Sequence, residues 1–376
     1  MHVLFMKPNY RANSEPWMRR TLDGIRDHLA GIAAVEIDTP DPALADIPHH
    51  QLSGLKRGRN FLGTLAPGVV YRPKKLERFI EEQNITHVIC NFGTLAVEYL
   101  TLFQKLDLPI FVSFHGYDAT FELREHDGSI VHRPGYRAAI SELSHCCRFI
   151  TNSEYTKGHL VEAGIDAGRI DVNPLGVDPA PKPKVHENSG SIQVLSVGRL
   201  IECKAPNLAI EAFDHAVSSG VDAQLTIVGD GPLQDSLEKL AGSLPSNDRI
   251  RFAGVLPPTE VDRYLDSTDI YIQHNILGPV TQREEAYGVS ILEAIAKGIP
   301  AICTNSGGVP EVVGSMASEL MTEPGDVEAQ GDLLAKFARE PELRTEVGKR
   351  SWEWVKESRS SKLEAERLLK ILESGS

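Results

Sequence analysis

Apolar runs and helical periodicities alternate along this chain twice over. In the first half, short stretches rich in β-branched and aromatic residues fall at His2 to Met6, His87 to Asn91, Ile110 to Phe114 and Arg148 to Thr151. Runs of this kind predict strands. Between them, apolar residues recur at helical spacing from about Trp17 to Ala30, Lys75 to Gln83, Leu95 to Lys105, Tyr136 to His145 and Thr156 to Ala163. Strand–helix alternation implies a parallel sheet, because each parallel pairing needs a crossover connection. The stretch from Asp38 to Arg72 is rich in Pro, Gly and His without clear periodicity, and predicts a long loop over the sheet.

From Pro179 to Ser191 the chain turns to Pro, Lys, Glu, Asn, Ser and Gly, the chemistry of a linker. A second alternation follows, with strands expected at Gln193 to Val197, Gln224 to Val228, Arg249 to Phe252, Ile270 to Gln273 and Pro300 to Thr304. Helices are expected at Pro206 to Ser218, Leu233 to Ala241, Pro258 to Leu265, Ser290 to Lys297 and Val309 to Val313, and the Glu-, Lys-, Arg- and Leu-rich tail from Glu342 to Ser376 also reads as helical. The expectation is an α/β chain of two doubly wound domains: 1–178, a linker at 179–190, then 191–350, with 351–376 as a helical tail able to pack back on the first domain. At 376 residues the chain is too long for one ordinary core. Ligands of such sheets bind beyond the carboxyl ends of the strands, so the cleft between the domains is the expected site.

Composition removes some classes of function. A formal net charge of −13 disfavours a nucleic-acid partner, which would need clustered cations. A locally basic stretch, Lys56, Arg57, Arg59, Arg72, Lys74 and Lys75, leaves peripheral contact with a membrane face open. No run of 18 apolar residues is present to span a bilayer, and Lys7 and Pro8 end the initial apolar run too soon for a signal peptide. The five cysteines are odd in number and lack Cys-x-x-Cys spacing, pointing to a reducing cytoplasm and no structural zinc. Vicinal Cys146 and Cys147 read as packed small residues.

The candidate chemistry centres on Glu285 and Glu293, in the stretch Glu-Glu-Ala-Tyr-Gly-Val-Ser-Ile-Leu-Glu from Glu284 to Glu293. With a helix opening near Val289, a rise of about 1.5 Å per residue separates the two carboxylates by about 12 Å. They cannot share a proton, and a glycosidase pair at about 5 to 9.5 Å is also disfavoured. Between them lie the first helical amides, near Gly288, Val289 and Ser290, which have no intrahelical partner and attract phosphate. Hydroxyls, then phosphate, then hydroxyls would suit this clamp; the alternative is a solvated helix face. Arg199 and Lys204 follow the strand ending at Val197 and can converge on a diphosphate. Gly229-Asp230-Gly231-Pro232 imitates the opening of a dinucleotide fingerprint but has Gln234 at its sixth position, so a structural turn is expected. In the first half, His115 and Asp118 follow a strand tip, Asp118 being placed as an orienting partner for His115. The polar loop Asn9 to Glu15 would face the same cleft.

Together, Gly198-Arg199 with Lys204, Gly229 to Pro232, Glu285 with Gly288 and Glu293, and Gly307-Gly308-Val309-Pro310-Glu311 resemble the retaining GT-B glycosyltransferases of the family 4 type. His115-Gly116-Tyr117-Asp118, Thr151-Asn152-Ser153 and Pro174-Leu175-Gly176-Val177-Asp178 extend the resemblance through the first half in the expected order. It implies a GT-B fold and a nucleotide-diphosphate-sugar donor, with no cofactor and no metal. Arg199 and Lys204 would hold the diphosphate, Glu285 the sugar and Glu293 the ribose. The amides of Tyr287, Gly288 and Val289, with Ser290, would approach the phosphate or sugar, and His115 would reach the transferred sugar. The acceptor would be a glycan, a lipid-linked species or a small molecule. The loop with Asn13, Ser14 and Glu15 lacks the Gly-Gly pair of many members and looks more like exopolysaccharide and colanic-acid-type transferases. Ala205 stands where the family commonly has Gly. The same fold also serves a sugar-nucleotide epimerase or a non-catalytic nucleotide-sugar binder.

Overall fold

The structure, a computed structural model, describes residues 1–11, 16–39, 41–52, 74–187 and 190–375. Asn13, Ser14 and Glu15, and the basic residues Lys56, Arg57, Arg59 and Arg72, lie outside the described residues. The first half carries strands β1 (Val3–Arg11), β2 (Leu29–Thr39), β3 (His49–Gln51), β4 (His87–Asn91), β5 (Ile110–Phe114), β6 (Arg148–Thr151) and β7 (Ile170–Val172). Its helices are α1 (Pro16–Gly24), α2 (Lys74–Glu82), α3 (Gly93–Glu98), α4 (Leu100–Phe103), α5 (Tyr136–Cys146) and α6 (Glu154–Glu162). All seven strands run parallel in the order β3-β2-β1-β4-β5-β6-β7. Every residue of β4 and β5 is buried, as expected where helices cover both faces of a parallel sheet.

The second half repeats the scheme with β8 (Ile192–Val197), β9 (Ala223–Val228), β10 (Ile250–Gly254), β11 (Ile270–Ile272), β12 (Ala301–Thr304) and β13 (Met321–Thr322). Its parallel order is β10-β9-β8-β11-β12-β13. Around it lie α7 (Pro206–Ser218), α8 (Gln234–Ser243), α9 (Pro258–Ser267), α10 (Val289–Ile295), α11 (Val309–Val313), α12 (Ala317–Leu320), α13 (Val327–Arg339) and α14 (Pro341–Ser358). Both sheets reverse strand order beside their first strand, at β1/β4 and at β8/β11, where doubly wound sheets take ligands. The final helix, α15 (Ser361–Ser374), buries Leu368 and Leu372 in the apolar cluster under β1 and α1. Gly24 of α1 touches it so closely that a Cβ there would lie 2.6 Å from the Ala365 methyl.

The α/β architecture matches the sequence expectation; several elements do not. The helix expected from Trp17 to Ala30 stops at Gly24, and Leu29–Thr39 is a strand. Its Ala-rich composition favours helix locally, but pairing with β1 on one side and β3 on the other decides the matter. The expected loop from Asp38 holds the short strand β3 and a 3-10 turn at Pro42–Leu44. Helix α13, capped by the Asp326 side chain on the Ala329 amide, was not expected, nor were β7 and β13.

Candidate active site

Gly198 directly follows β8, and a Cβ there would come within 2.9 Å of Lys204 Cδ. Glycine there lets the Lys204 chain lie across the strand end. The chain then makes a 3-10 turn at Glu202–Lys204 and passes through Ala205 in the left-handed region (φ 33°, ψ 53°) before Pro206 opens α7. Lys204 Nζ thereby meets Glu285 Oε2. Their side chains are 17% and 15% exposed. Burial pushes the Glu285 carboxyl up, but the Lys204 ammonium, its hydrogen bond and the charge of Arg199 together hold it below the ordinary carboxylate value. Glu285 is therefore an ionised acceptor at neutral pH. Arg199 is exposed.

Backbone packing fixes where Glu285 sits. The Gly308 amide donates to the Glu285 carbonyl at 2.8 Å. Cβ atoms at Gly307 and Gly308 would come 2.1 Å from the Glu285 and Ala286 carbonyl oxygens respectively. The Gly307-Gly308 pair thus braces the loop that presents Glu285. On its other side, Ala286 O accepts from Ser153 Oγ of the first half at 2.8 Å, and a Cβ on Gly116 would lie 2.5 Å from the Ala286 Cβ. Tyr287 is buried, with its hydroxyl donating to Leu175 O at 2.8 Å, while its amide points at Glu285 Oε1 at 3.5 Å. Gly288 (φ 102°) precedes α10, which has no side-chain cap. The Ser290 hydroxyl is tied to Tyr271 at 2.9 Å and to Gln273 at 3.2 Å.

Glu293, within α10, bonds to a different cation, Arg20 Nη2 of α1, at 3.1 Å. It lines a cavity of about 820 Å³ between the halves, with Val197, Leu256, Val261 and Leu265 among the apolar walls. Arg199, Lys204 and Glu285 do not line that cavity, so the two acids face different spaces. Gly229 and Gly231 serve close backbone approach: Cβ atoms there would fall 2.0 Å from Gly198 O and 2.4 Å from Leu200 O. That loop supports the Arg199 turn, in keeping with a structural role.

At the tip of β5, His115 packs against Trp17 and Phe92, with ring centroids 4.4 and 5.0 Å away. Burial pushes its imidazole down to about 3, so it is neutral at physiological pH. Its Nε2 meets Asn91 Oδ1 at 3.3 Å, and its Nδ1 has no partner among the described residues. Asp118 is not the orienting partner of the ring. Its carboxylate accepts the backbone amides of His115 and Gly93, each at 2.9 Å, because the turn after β5 folds it inward onto these peptide donors. Burial raises its carboxyl to about 6 against those hydrogen bonds.

Three further residues received no role from sequence reasoning. Arg283, two residues before Glu285, is desolvated, lies in the field of Arg199, and its buried Nε has no partner among the described residues. Its proximity in sequence to Glu285 was the available signal. Glu284 bonds the Tyr155 hydroxyl, and Glu311 accepts the amides of Glu154 and Tyr155 at 2.9 Å each, capping α6 from the other half. Among the described residues no group of three or more His, Cys, Asp or Glu is placed to hold a metal ion, and no helix is long and apolar enough to cross a membrane.

Comparison with known proteins gives the family. Residues 178–354 match the model described as glycosyl transferases group 1, and residues 33–181 match Glycosyltransferase Family 4. A putative colanic acid biosynthesis glycosyltransferase, WcaL of Escherichia coli K12, is 30% identical over 190 residues, 50% of this chain and 46% of that protein. The match thus spans about half the length of that relative. A GDP-mannose-dependent monoacylated alpha-(1-6)-phosphatidylinositol monomannoside mannosyltransferase of Corynebacterium glutamicum is 27% identical over 315 residues, 80% of this chain and 79% of its own. The crystal structure of Anabaena Alr3699/HepE in complex with UDP and glucose superposes with a TM-score of 0.74 at 16% identity, covering 100% of both chains. With two parallel sheets, both halves matched and this shared architecture, the chain belongs to the group 1, family 4 type of GT-B glycosyltransferases.

Proposed function

We propose that the chain is a retaining, metal-independent glycosyltransferase that moves a hexose-type sugar from a nucleotide-diphosphate sugar to a glycan, lipid-linked or small-molecule acceptor. The observation that carries this reading is the Lys204–Glu285 pair at the mouth of β8, beside Arg199. Cleavage of the anomeric C–O bond builds negative charge on the distal phosphate of the departing nucleotide. Arg199 and Lys204 stabilise that charge, with Arg283 beside them and the open amides after Gly288 adding their dipoles. The acceptor hydroxyl attacks from the face the diphosphate leaves, and its proton passes to a phosphate oxygen, so configuration is retained. Glu285, ionised, accepts hydrogen bonds from the sugar hydroxyls. His115, neutral, serves as a hydrogen-bonding group near the sugar and not as a proton carrier. The cavity beside Glu293 takes the nucleoside, the carboxylate accepting from the ribose hydroxyls and the apolar walls holding the base. Names of relatives such as WcaL and the amylovoran biosynthesis glycosyltransferase AmsK support an envelope or exopolysaccharide acceptor.

The test is thermal unfolding with UDP-glucose, GDP-mannose and ADP-glucose. A ligand at one hundred times its Kd stabilises by about 2.7 kcal/mol. One donor should raise the midpoint in wild type but not in Lys204→Ala, and turnover of that donor should survive EDTA, with product configuration read by NMR. Equal stabilisation of Lys204→Ala would refute the diphosphate site; inverted product would refute retention.

A further inference from the structure

Glu293 is reached from the opposite half of the molecule. Arg20 donates from Nη2 to Glu293 Oε1 at 3.1 Å and from Nε to the Gly176 carbonyl at 3.2 Å. Two anchors on one planar guanidinium fix its orientation, which a lysine could not do as well. The helix that carries Arg20 is itself held. Thr21 Oγ1 donates to Glu364 Oε1 at 2.6 Å, and Glu364 Oε2 accepts the Gly176 amide at 2.8 Å. Arg20 and Glu293 both line the cavity of about 820 Å³, and their side chains are 20% and 28% exposed.

We propose that Arg20 is a positioning residue for the donor, fixing the Glu293 carboxylate so that it receives the ribose hydroxyls. This rests on the assignment of Glu293 to the ribose. The bond from Arg20 takes one side of the carboxylate, leaving lone pairs on Oε2 for the ligand. The charged and titratable groups around Glu293 are Arg20 from α1, Asp262 from α9 and Lys297 from just past its own helix α10, with the Tyr271 hydroxyl of β11 in its field. Burial raises the Glu293 carboxyl above the ordinary value and Asp262 adds to this; Arg20 is the largest opposing influence, ahead of Lys297. Without Arg20 the carboxyl rises further, and a larger fraction is protonated as the pH falls toward 5.5. A protonated carboxyl gives up acceptor capacity. Nucleoside binding should therefore become pH-dependent in a way that diphosphate binding alone does not.

Isothermal titration with UDP, GDP and inorganic diphosphate from pH 5.5 to 8.5 tests this on wild type, Arg20→Met, Arg20→Gln, Arg20→Lys and Glu293→Gln. For whichever nucleoside diphosphate the wild type prefers, Arg20→Met should lose about tenfold in affinity at pH 6, about 1.4 kcal/mol, and less at pH 8.5. Its affinity for inorganic diphosphate should match wild type, and Arg20→Lys, which restores the charge but not the two-anchor fork, should recover only part of the loss. Arg20→Gln, which keeps a donor without the charge, carries the same pH test if Arg20→Met fails to fold. Equal losses for inorganic diphosphate and nucleoside diphosphate would reduce Arg20 to a structural bridge and overturn the proposal, as would a loss independent of pH. Unchanged nucleotide binding in Arg20→Met while Glu293→Gln is impaired overturns the role of Arg20 alone. Full nucleotide affinity in Glu293→Gln overturns the ribose assignment, and the Arg20 role with it.

Discussion

Removing Lys204 should damage stability and turnover by separable routes. The Lys204 and Glu285 side chains are 17% and 15% exposed and bonded to each other. Breaking a fully buried pair by deleting one partner costs about 3–5 kcal/mol, because the other charge is left uncompensated. The residual exposure of this pair lowers the expected cost of Lys204→Ala to about 2–3 kcal/mol. In Lys204→Ala/Glu285→Gln no charge is stranded, so the double variant should lose less than the sum of the singles, by about 1–3 kcal/mol. Urea denaturation at constant m reads this directly. The pH dependence has a definite sign. In the wild type the Glu285 carboxyl lies below its ordinary value, so its contribution is present above the unfolded-state value and lost as the pH falls through the folded one. The deficit of Lys204→Ala should accordingly be largest near neutrality and close toward pH 4. Donor turnover should behave differently: each single and the double variant should fall about 10²- to 10³-fold. Additive stability losses, or a deficit that does not vary with pH, would refute the reading of Lys204 and Glu285 as a preformed pair.

Three other outcomes are expected. His115 is neutral in the folded state with a value near 3, whereas an unfolded histidine titrates near 6.5, so its contribution to stability is lost as the pH falls from about 6.5 toward 3. His115→Gln should flatten the stability curve over that window by a few kcal/mol, and parallel curves for the two proteins would contradict the burial argument. Ala205→Gly should raise stability by about 0.5–1 kcal/mol, since Ala205 occupies the left-handed region at φ 33°; donor turnover should be kept, and an unchanged or lowered unfolding midpoint would count against strain at that position. Gly308→Ala would put a Cβ 2.1 Å from the Ala286 carbonyl, so turnover should fall at least about tenfold with far-ultraviolet dichroism intact; wild-type turnover would show that the loop position tolerates displacement.

Strands β8 to β12 were legible to within about two residues because each is a compact apolar run, β8 and β9 being closed at once by Gly, as at Leu225 to Val228 before Gly229. Strand β2 was not, since Leu29 to Ala34 carries no alternation and two faces of burial erase the period-2 signal. The two-residue β13 gives no periodicity at all. The candidate site divides in the same way. Arg199, Lys204, Glu285 and Glu293 announce themselves as charges next to strand ends and helix starts. The partnership of Arg20 with Glu293 joins residues 273 positions apart, and that of Asn91 with His115 joins neighbouring strands. Such pairs depend on strand order and on how the halves meet, which local sequence does not encode.

Several of the contacts between the halves fall on the same short segment that presents the proposed donor ligands. Glu284 holds Tyr155, Ala286 holds Ser153 and meets Gly116, Tyr287 holds Leu175, and Glu293 holds Arg20. Every one of these partners belongs to the first half, and two of them sit in the turns following β5 and β6, Gly116 beside His115 and Ser153 beside Asn152. The backbone that aims Glu285 is therefore set from one side by Gly307 and Gly308 of its own half and from the other by the first half. A site built this way has its geometry only while the halves are apposed. Donor binding and apposition are then linked, and linkage is reciprocal: whatever stabilises the apposed arrangement tightens the donor, and the donor stabilises the apposition by the same factor. For a reaction in which water competes with the acceptor, this arrangement ties the assembly of the charge-stabilising groups to the closure that excludes water.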